Sequence, residues 1–330
     1  MWKDTLKSKL KSNLKGRGIL VSLILLWIVF FFTNENFRRI DSYLSILREA
    51  SFVGVAAIGM TFCIIIRAID LSIGAMIGLL AIITLSIVGK LGLIPTIIII
   101  LVFGATFGAI NGFLYSRLRL PSFIATLAMS YIYKAIALIY SNGKSIQFNE
   151  KWFTTIGNGT FLGIPVPFII FIALAILGSI ILKRTILGRQ ILSIGNSEKT
   201  SYLSGIDIVK VKILAFALLG VFTAIAAILI SSRLWSANAD MKSGYEFDVI
   251  AAVVLGGTSL KGGKGSMFNT VIASIFFASM YTGMNMFHID AYMQRVVEGI
   301  ILLMSFSMGG GSQLIKLKLE GNKVVNSNKT

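Results

Sequence analysis

Charge is what this 330-residue chain has least of. Asp, Glu, Lys and Arg make up 14% of it, where a soluble domain carries about 25%. Its longest polar stretch is about 30 residues, too short for a sizeable soluble domain. One cysteine, Cys63, lies inside an apolar run, which excludes a disulfide framework and a thiolate metal site. Buried cysteine behaves as a small hydrophobe. One histidine, His288, stands beside Asp290 without the further ligands that zinc requires, so it reads as structural. There are only four prolines. Pro121 falls at the first turn of a predicted helix, where its missing N–H costs nothing, and Pro165 and Pro167 mark the outer end of another. Helix breaks therefore fall to glycine.

What is present is apolar. Hydrophobic residues reach 55%, with mean hydropathy +0.84, in runs that recur along nearly the whole chain. A bilayer crossing takes roughly 20 such residues, so the fold class is an all-α polytopic membrane protein. Ten spans account for the pattern, over residues 18–33, 50–66, 72–89, 92–115, 122–141, 161–182, 213–232, 248–260, 267–287 and 292–309. The domain reading is a basic cytoplasmic segment 1–17, a transmembrane domain 18–309 with a cytoplasmic loop 183–212, and a cytoplasmic tail 310–330. Both termini then lie inside a multi-pass protein of the cell membrane. Segments predicted inside carry 21 Lys/Arg and those predicted outside carry eight, the asymmetry of the positive-inside rule. The net charge of +17 is thus topological and does not indicate nucleic acid. The first apolar run ends in Phe30-Phe31-Phe32-Thr33 without a small-residue cleavage site, so it reads as an uncleaved span.

Residues 243–308 organise the rest. Glu246 and Asp248 lead into an apolar run, Val249 to Leu255, which is too short to cross. Gly256, Gly257, Gly262, Gly263 and Gly265 follow. Such a break is tolerated in a membrane only against protein or a water-filled cavity, so a broken helix facing a pathway is predicted. The two carboxylates could suggest acid–base catalysis but lack further polar partners; helix capping is the preferred reading. From Gly257 the spacing of a phosphate-binding loop reaches Gly262, but Gly263 stands where lysine is required, so the chain has no nucleotide site of its own.

Asp70, in Asp70-Leu-Ser72-Ile-Gly74, leads into a second short span. It reads either as a functional intramembrane acid or as an N-cap with Arg67 as counter-charge, and both can hold. Spans two to five and seven to ten begin on opposite sides and each has an acid before a short second span, a pattern of inverted repeats. Gly104, Gly108 and Gly112 make a close-packing stripe, read as intrachain. Lys134 can snorkel, though its position predicts an interior-facing role; Arg295 and Glu298 are predicted to pair on one helix face, and Gln294 and Asn111 to face a pathway. In the loop, Ser197 to Leu203 fit a short helix ending at Gly205. Docking a soluble partner is one use for it, and a solvated basic loop is the alternative.

Three motifs together resemble the permease subunit of ribose-type ABC importers. They are Asp70-Leu-Ser-Ile-Gly74, the stretch Ser193 to Ile206, and Gly244 to Gly265; the similarity covers roughly residues 45–308. Thr200, Ser201 and Tyr202 replace the family's usual alanines and arginine, and Asn269-Thr270 replaces Gly-Thr. The resemblance implies a ten-helix permease that pairs with a second permease, identical or paralogous. A cytoplasmic ATPase subunit would bind the ATP, and an external binding protein would deliver a ribose-like monosaccharide. The permease itself would use no cofactor. The resemblance further assigns ATPase coupling to Gly195, Asn196, Glu198, Ser204, Gly205 and Ile206. The pathway and its broken helices would comprise Asp70, Ser72, Gly74, Asn111, Glu246, Asp248, Gly256, Gly257, Gly262, Gly263 and Gln294. Permeases for nucleosides or branched-chain amino acids share this plan. An ion-coupled carrier would need mid-membrane acid or histidine relays, which are few here. An intramembrane enzyme would need a nucleophile–base or metal constellation, and the sequence has none.

Overall fold

A backbone in lipid has to satisfy its own polar groups, and this chain does so with helices. The computed structural model describes residues 18–301, 303 and 304. The predicted segments 1–17 and 310–330, and the end of the tenth predicted span, lie outside the described residues.

The order begins with α1 (Gly18–Thr33), α2 (Ile40–Ile65), α3 (Ile73–Leu91), α4 (Leu93–Ser116) and α5 (Ser122–Ser141). A connecting region holds β1 (Ile146–Gln147), the short helix α6 (Lys151–Asn158), and the hairpin β2 (Thr160–Phe161) with β3 (Ile164–Pro165). Then come α7 (Val166–Arg184), α8 (Ile186–Asn196), α9 (Glu198–Leu203) and α10 (Ile208–Leu234). β4 (Ser236–Ala237), α11 (Tyr245–Leu255), α12 (Met267–Met286) and α13 (291–301) complete it.

Seven of these, α2, α3, α4, α5, α7, α10 and α12, are long and apolar enough to cross a membrane. Several bounds differ from the predicted spans for physical reasons. Helix α2 starts ten residues before its predicted span because Asp41, Ser42, Arg48 and Glu49 depress hydropathy without breaking the helix. The span predicted from 161 starts at Val166, since 160–165 form the β2–β3 hairpin. The span predicted at 248–260 is an 11-residue helix, α11, followed by an irregular turn.

Helix α2 is central, with 83% of an apolar 18-residue window buried, whereas α4 has 22% and α5 and α7 have 28% each. The last three present apolar flanks outward. Helix α10 packs along α4 and α2. At the α4–α10 crossing a Cβ on Gly104 or Gly108 would collide with the carbonyl oxygens of Gly220 and Phe216. The glycine stripe is therefore used within the chain, as predicted, because only hydrogen atoms allow backbones to approach this closely.

The bundle has two distinct ends. At one, the end of α2, the turn after α11 and the α8–α9 segment converge: Gly263 N–H donates to Ile65 O at 2.9 Å, and Arg67 Nε donates to Gly195 O at 3.0 Å. At the other, β1 pairs with β4 and Asn34 bonds the Met286 carbonyl.

Candidate functional site

Three groups of polar residues are held inside this bundle. The first closes the break between α2 and α3. Segment 66–72 is not helical, so its backbone N–H groups need other partners. Ser122 Oγ accepts from Ile69 N at 3.2 Å, and Thr126 Oγ1 accepts from Leu71 N at 2.9 Å. Asp70 is fully buried. Its Oδ1 accepts from Ser72 N at 2.7 Å and Ser72 Oγ at 2.6 Å, and its Oδ2 accepts from Asn111 Nδ2 at 2.9 Å. Tyr133 hydroxyl donates to Asn111 Oδ1 at 3.0 Å, carrying the network into α5.

Two expectations need correcting. Asp70 is not the N-cap of α3; Ser72 is, and Asp70 takes that residue's N–H from two positions upstream. Arg67 is not its counter-charge, because its guanidinium turns to the carbonyls of Gly195 and Asn196. Asn111 is fully buried in the network. Gly74, in the first turn of α3, lies so close to the Lys242 carbonyl that a Cβ would overlap it. The two broken segments of the chain thus meet there.

The second group is the junction at the α9 end. Gly195 is buried, and a Cβ there would overlap Ile65 O and the Gly263 backbone. Gly262 and Gly263 take positive φ values of 79° and 73° and press against Arg67 and Asn196. Gly256 packs on the backbone of Asn269 and Thr270, and Gly257 turns with φ 83°. Gly256, Gly262 and Gly263 are therefore tightly packed against other segments, while Gly257 is exposed.

From this joint α9 projects. Ser197 caps it by accepting from Thr200 N, and Gly205 follows Ser204 with φ 79°, so the predicted short helix is present with its predicted glycine stop. Tyr202 and Leu203 are 71% and 75% exposed, two large apolar side chains on a polar surface. Ser204 is exposed and Ile206 half-buried beside them. Lys212, only 7% exposed, anchors the helix. Its Nζ bonds Glu198 Oε1 and Oε2 at 2.9 and 3.0 Å and sits 4.6 Å from the Tyr115 ring centroid. This anchor was not legible in the sequence, where Lys212 is one loop cation among several.

Glu198 is 57% exposed, so solvent limits the pair to about 1 kcal/mol. Lys212→Met is expected to speed amide exchange across 198–203 by roughly fivefold, from that energy. Lys212→Arg should retain most protection. Hydrogen-exchange mass spectrometry reads this directly, and equal exchange in wild type and Lys212→Met would remove the anchoring role.

The third group surrounds a cavity of about 610 Å³ toward the other end, bounded by α2, α12, α13 and the 238–248 segment. Glu49, Lys242, Tyr245, Asp248, Tyr281, Asn285 and Gln294 line it. Tyr281 hydroxyl donates to Asp248 Oδ1 at 2.7 Å, and Gln294 Nε2 donates to Asn285 Oδ1 at 2.7 Å. Asp248 and Gln294 were predicted to share a pathway, and the fold brings them to one wall. Glu49, Lys242, Tyr281 and Asn285 were missed because they come from separate parts of the sequence.

Glu246 faces away, toward Gly74 and the ion pair of Lys134 with Asp240. Lys134 is accordingly 40% exposed and paired near the surface, contrary to the interior role expected. Glu246 and Asp248 lie in the first turn of α11, whose N-cap is Gly244. They favour the helix start through its dipole, and the Glu246 carboxylate meets the backbone at Gly244 and Glu246. Glu298 does not pair with Arg295 as predicted; it lies beside Asp248 and Tyr281, while Arg295 approaches Gly244.

Among the described residues no cluster could hold a metal. Long apolar helices, two interrupted segments meeting in the interior and a polar cavity define a multi-pass transport protein. The chain belongs to the family described as branched-chain amino acid transport system / permease component, which it matches over residues 42–306. It is 36% identical to the ribose import permease protein RbsC of Haemophilus influenzae, over 86% of this chain and 90% of that one. It is 34% identical to RbsC of Escherichia coli, over 89% and 94%. The L-arabinose transport system permease protein AraH of E. coli is 33% identical over 87% and 88%. No solved structure was found to match. The protein is a transport permease and not an enzyme.

Proposed function

We propose that this chain is the membrane permease of an ATP-driven importer for a ribose-like monosaccharide. The observation that carries it is similarity to ribose and arabinose permeases along nearly their whole lengths. The family's description names branched-chain amino acids, but the ribose and arabinose permeases match along nearly their whole lengths. A separate ATPase subunit supplies the energy, an external binding protein delivers the sugar, and two permeases, identical or paralogous, work together.

In this reading ten helices cross the bilayer, α11 as a half-length one, with both termini in the cytoplasm. The α9 end faces the cytoplasm, in keeping with its basic loops. An inverted repeat of α2–α5 and α10–α13 is supported by a parallel in layout. Each set opens with a long helix, α2 or α10, followed by an irregular segment and an acid-bearing stretch, and the two long helices end at opposite ends of the bundle.

Helix α9, with Gly195, Asn196, Glu198, Ser204, Gly205 and Ile206 around it, docks the ATPase. Nucleotide binding on that partner then shifts the permease between outward and inward access, as a population shift. Purification of the chain from its native membrane in mild detergent should co-elute a protein with intact nucleotide-binding motifs. Reproducible isolation without an ATPase, with uptake that survives ATP depletion and collapses with the ion gradient, would instead make the protein an ion-coupled carrier.

A further inference from the structure

The cavity beside α11 carries features that a mere gap between helices does not need. It lies within the roughly 300–1,000 Å³ typical of small-molecule sites, at about 610 Å³. A second chamber of about 270 Å³ adjoins it, sharing Lys242, Tyr245, Asp248, Tyr281 and Gln294 and adding Arg295 and Glu298. Polar and ionisable side chains inside a membrane protein are costly unless they have work to do, and here five helical or loop segments contribute them to one place.

Their existing bonds leave capacity on the cavity side. Asp248 uses Oδ1 for Tyr281 and also meets the Glu298 carboxyl, Asn285 uses its carbonyl oxygen for Gln294, and Lys242 Nζ rests 4.4 Å from the Tyr245 ring. Tyr245 adds the observation that points to a ligand. It is 6% exposed and lines both chambers, and its hydroxyl, closed off from the cavity in this packing, has no hydrogen-bond partner, so one is supplied only when the wall opens. Burying a hydroxyl unpaired costs about 1–3 kcal/mol, whereas phenylalanine in the same place would cost nothing.

We infer that this cavity is a transient sugar-binding subsite of the permease, with Tyr245, Asp248 and Gln294 as its hydroxyl-binding groups. The inference rests on the monosaccharide reading above. A neutral polyol suits the lining: each ring hydroxyl both donates and accepts, so a carboxylate and an amide of the lining can engage it, and the unpaired phenol can do so once the wall opens. The Tyr245 and Tyr281 rings offer apolar faces for the C–H side of a sugar ring. The carboxylates of Glu49 and Asp248 stand near the cation of Lys242, so these charges offset one another rather than presenting one sign to the solute. In the proposed orientation the cavity faces the side from which the binding protein delivers. Its bonds to the sugar are few, as release onward requires.

The test uses the complete complex of permease, ATPase and binding protein in proteoliposomes, with a panel of labelled pentoses and hexoses. Tyr245→Phe is the decisive variant, because an unused buried hydroxyl and a ligand-binding one predict different outcomes. The subsite predicts that uptake at low sugar falls roughly three- to tenfold, the scale of one hydrogen bond, while the melting temperature is unchanged or higher. Gln294→Leu should lower uptake by a similar factor. Unchanged uptake in both folded variants would overturn the subsite while leaving the importer reading intact. A wild-type complex that hydrolyses ATP but carries no sugar of the panel would overturn the functional reading, and the subsite with it. Uptake of leucine in place of sugars, lowered by the same variants, would overturn the sugar assignment.

Discussion

Asp70→Ala is expected to destabilise the assembled permease by about 1–3 kcal/mol, the cost of leaving a buried donor without its acceptor. Asp70 receives three hydrogen bonds in a fully buried site, from Ser72 N, Ser72 Oγ and Asn111 Nδ2. Alanine leaves the Ser72 N–H without its acceptor and loosens the Asn111 amide that joins α4 to α3. Domains are stable by only about 5–15 kcal/mol, so a loss of this size should sharply reduce the folded population in detergent and the uptake of what remains. Asp70→Asn should also be damaging, because its amide nitrogen would face the amide of Asn111, donor against donor. Exchanging the pair, as Asp70→Asn with Asn111→Asp, restores one donor and one acceptor and should recover part of the loss. Thermal unfolding of wild type, the single variants Asp70→Asn and Asn111→Asp, and the exchanged double variant forms a double-mutant cycle. Wild-type stability and uptake for Asp70→Ala would show that the network is dispensable.

Gly195→Val should have the second large effect, on transport above all. A side chain at this position collides with the Ile65 carbonyl and with the backbone of Gly263. That carbonyl already accepts the Gly263 N–H, and Gly195 O receives Arg67. Insertion of extra methyl groups into such a contact costs roughly 1–3 kcal/mol. It also displaces α8, and with it α9, relative to the core. ATP-driven uptake is expected to fall at least tenfold, the consequence of about 1.4 kcal/mol at the joint, with the protein still inserted in the membrane. Gly205→Ala is the informative contrast. Gly205 has φ 79° and nothing within 4 Å of a Cβ, so its cost is the backbone strain alone, about 1 kcal/mol. Equal uptake for Gly195→Val and wild type would refute the view that this joint transmits movement.

These two glycines show where sequence reading stopped. Both fell within one family-like stretch, and both were assigned to a coupling loop on that resemblance. The short helix between them was legible because its signals are local: a serine cap, a few helix formers and a terminating glycine. That Gly195 is buried between two distant segments while Gly205 is free was not legible, because the contact partners lie some 70 to 130 residues away in the chain. The same holds for charge. Lys134, Arg67 and Glu298 were given roles from their sequence neighbours, and each turned instead to a partner on another element.

The sequence by itself determined the class of environment and the long apolar helices. Scarce charge, recurrent apolar runs and the distribution of Lys and Arg are summed properties, and transfer between water and lipid depends on such sums. It also determined where helices break, since glycine and acids mark those positions whatever surrounds them. Only the tertiary structure decided what the breaks do. It joined the Asp70 segment to α4 and α5, drove the glycine turn against α2 and α8, and gathered Glu49, Lys242, Asp248, Tyr281 and Gln294 around one cavity. Hydrogen bonds and close contacts act over about 3–4 Å, and which residues come that near each other is set by how the helices pack.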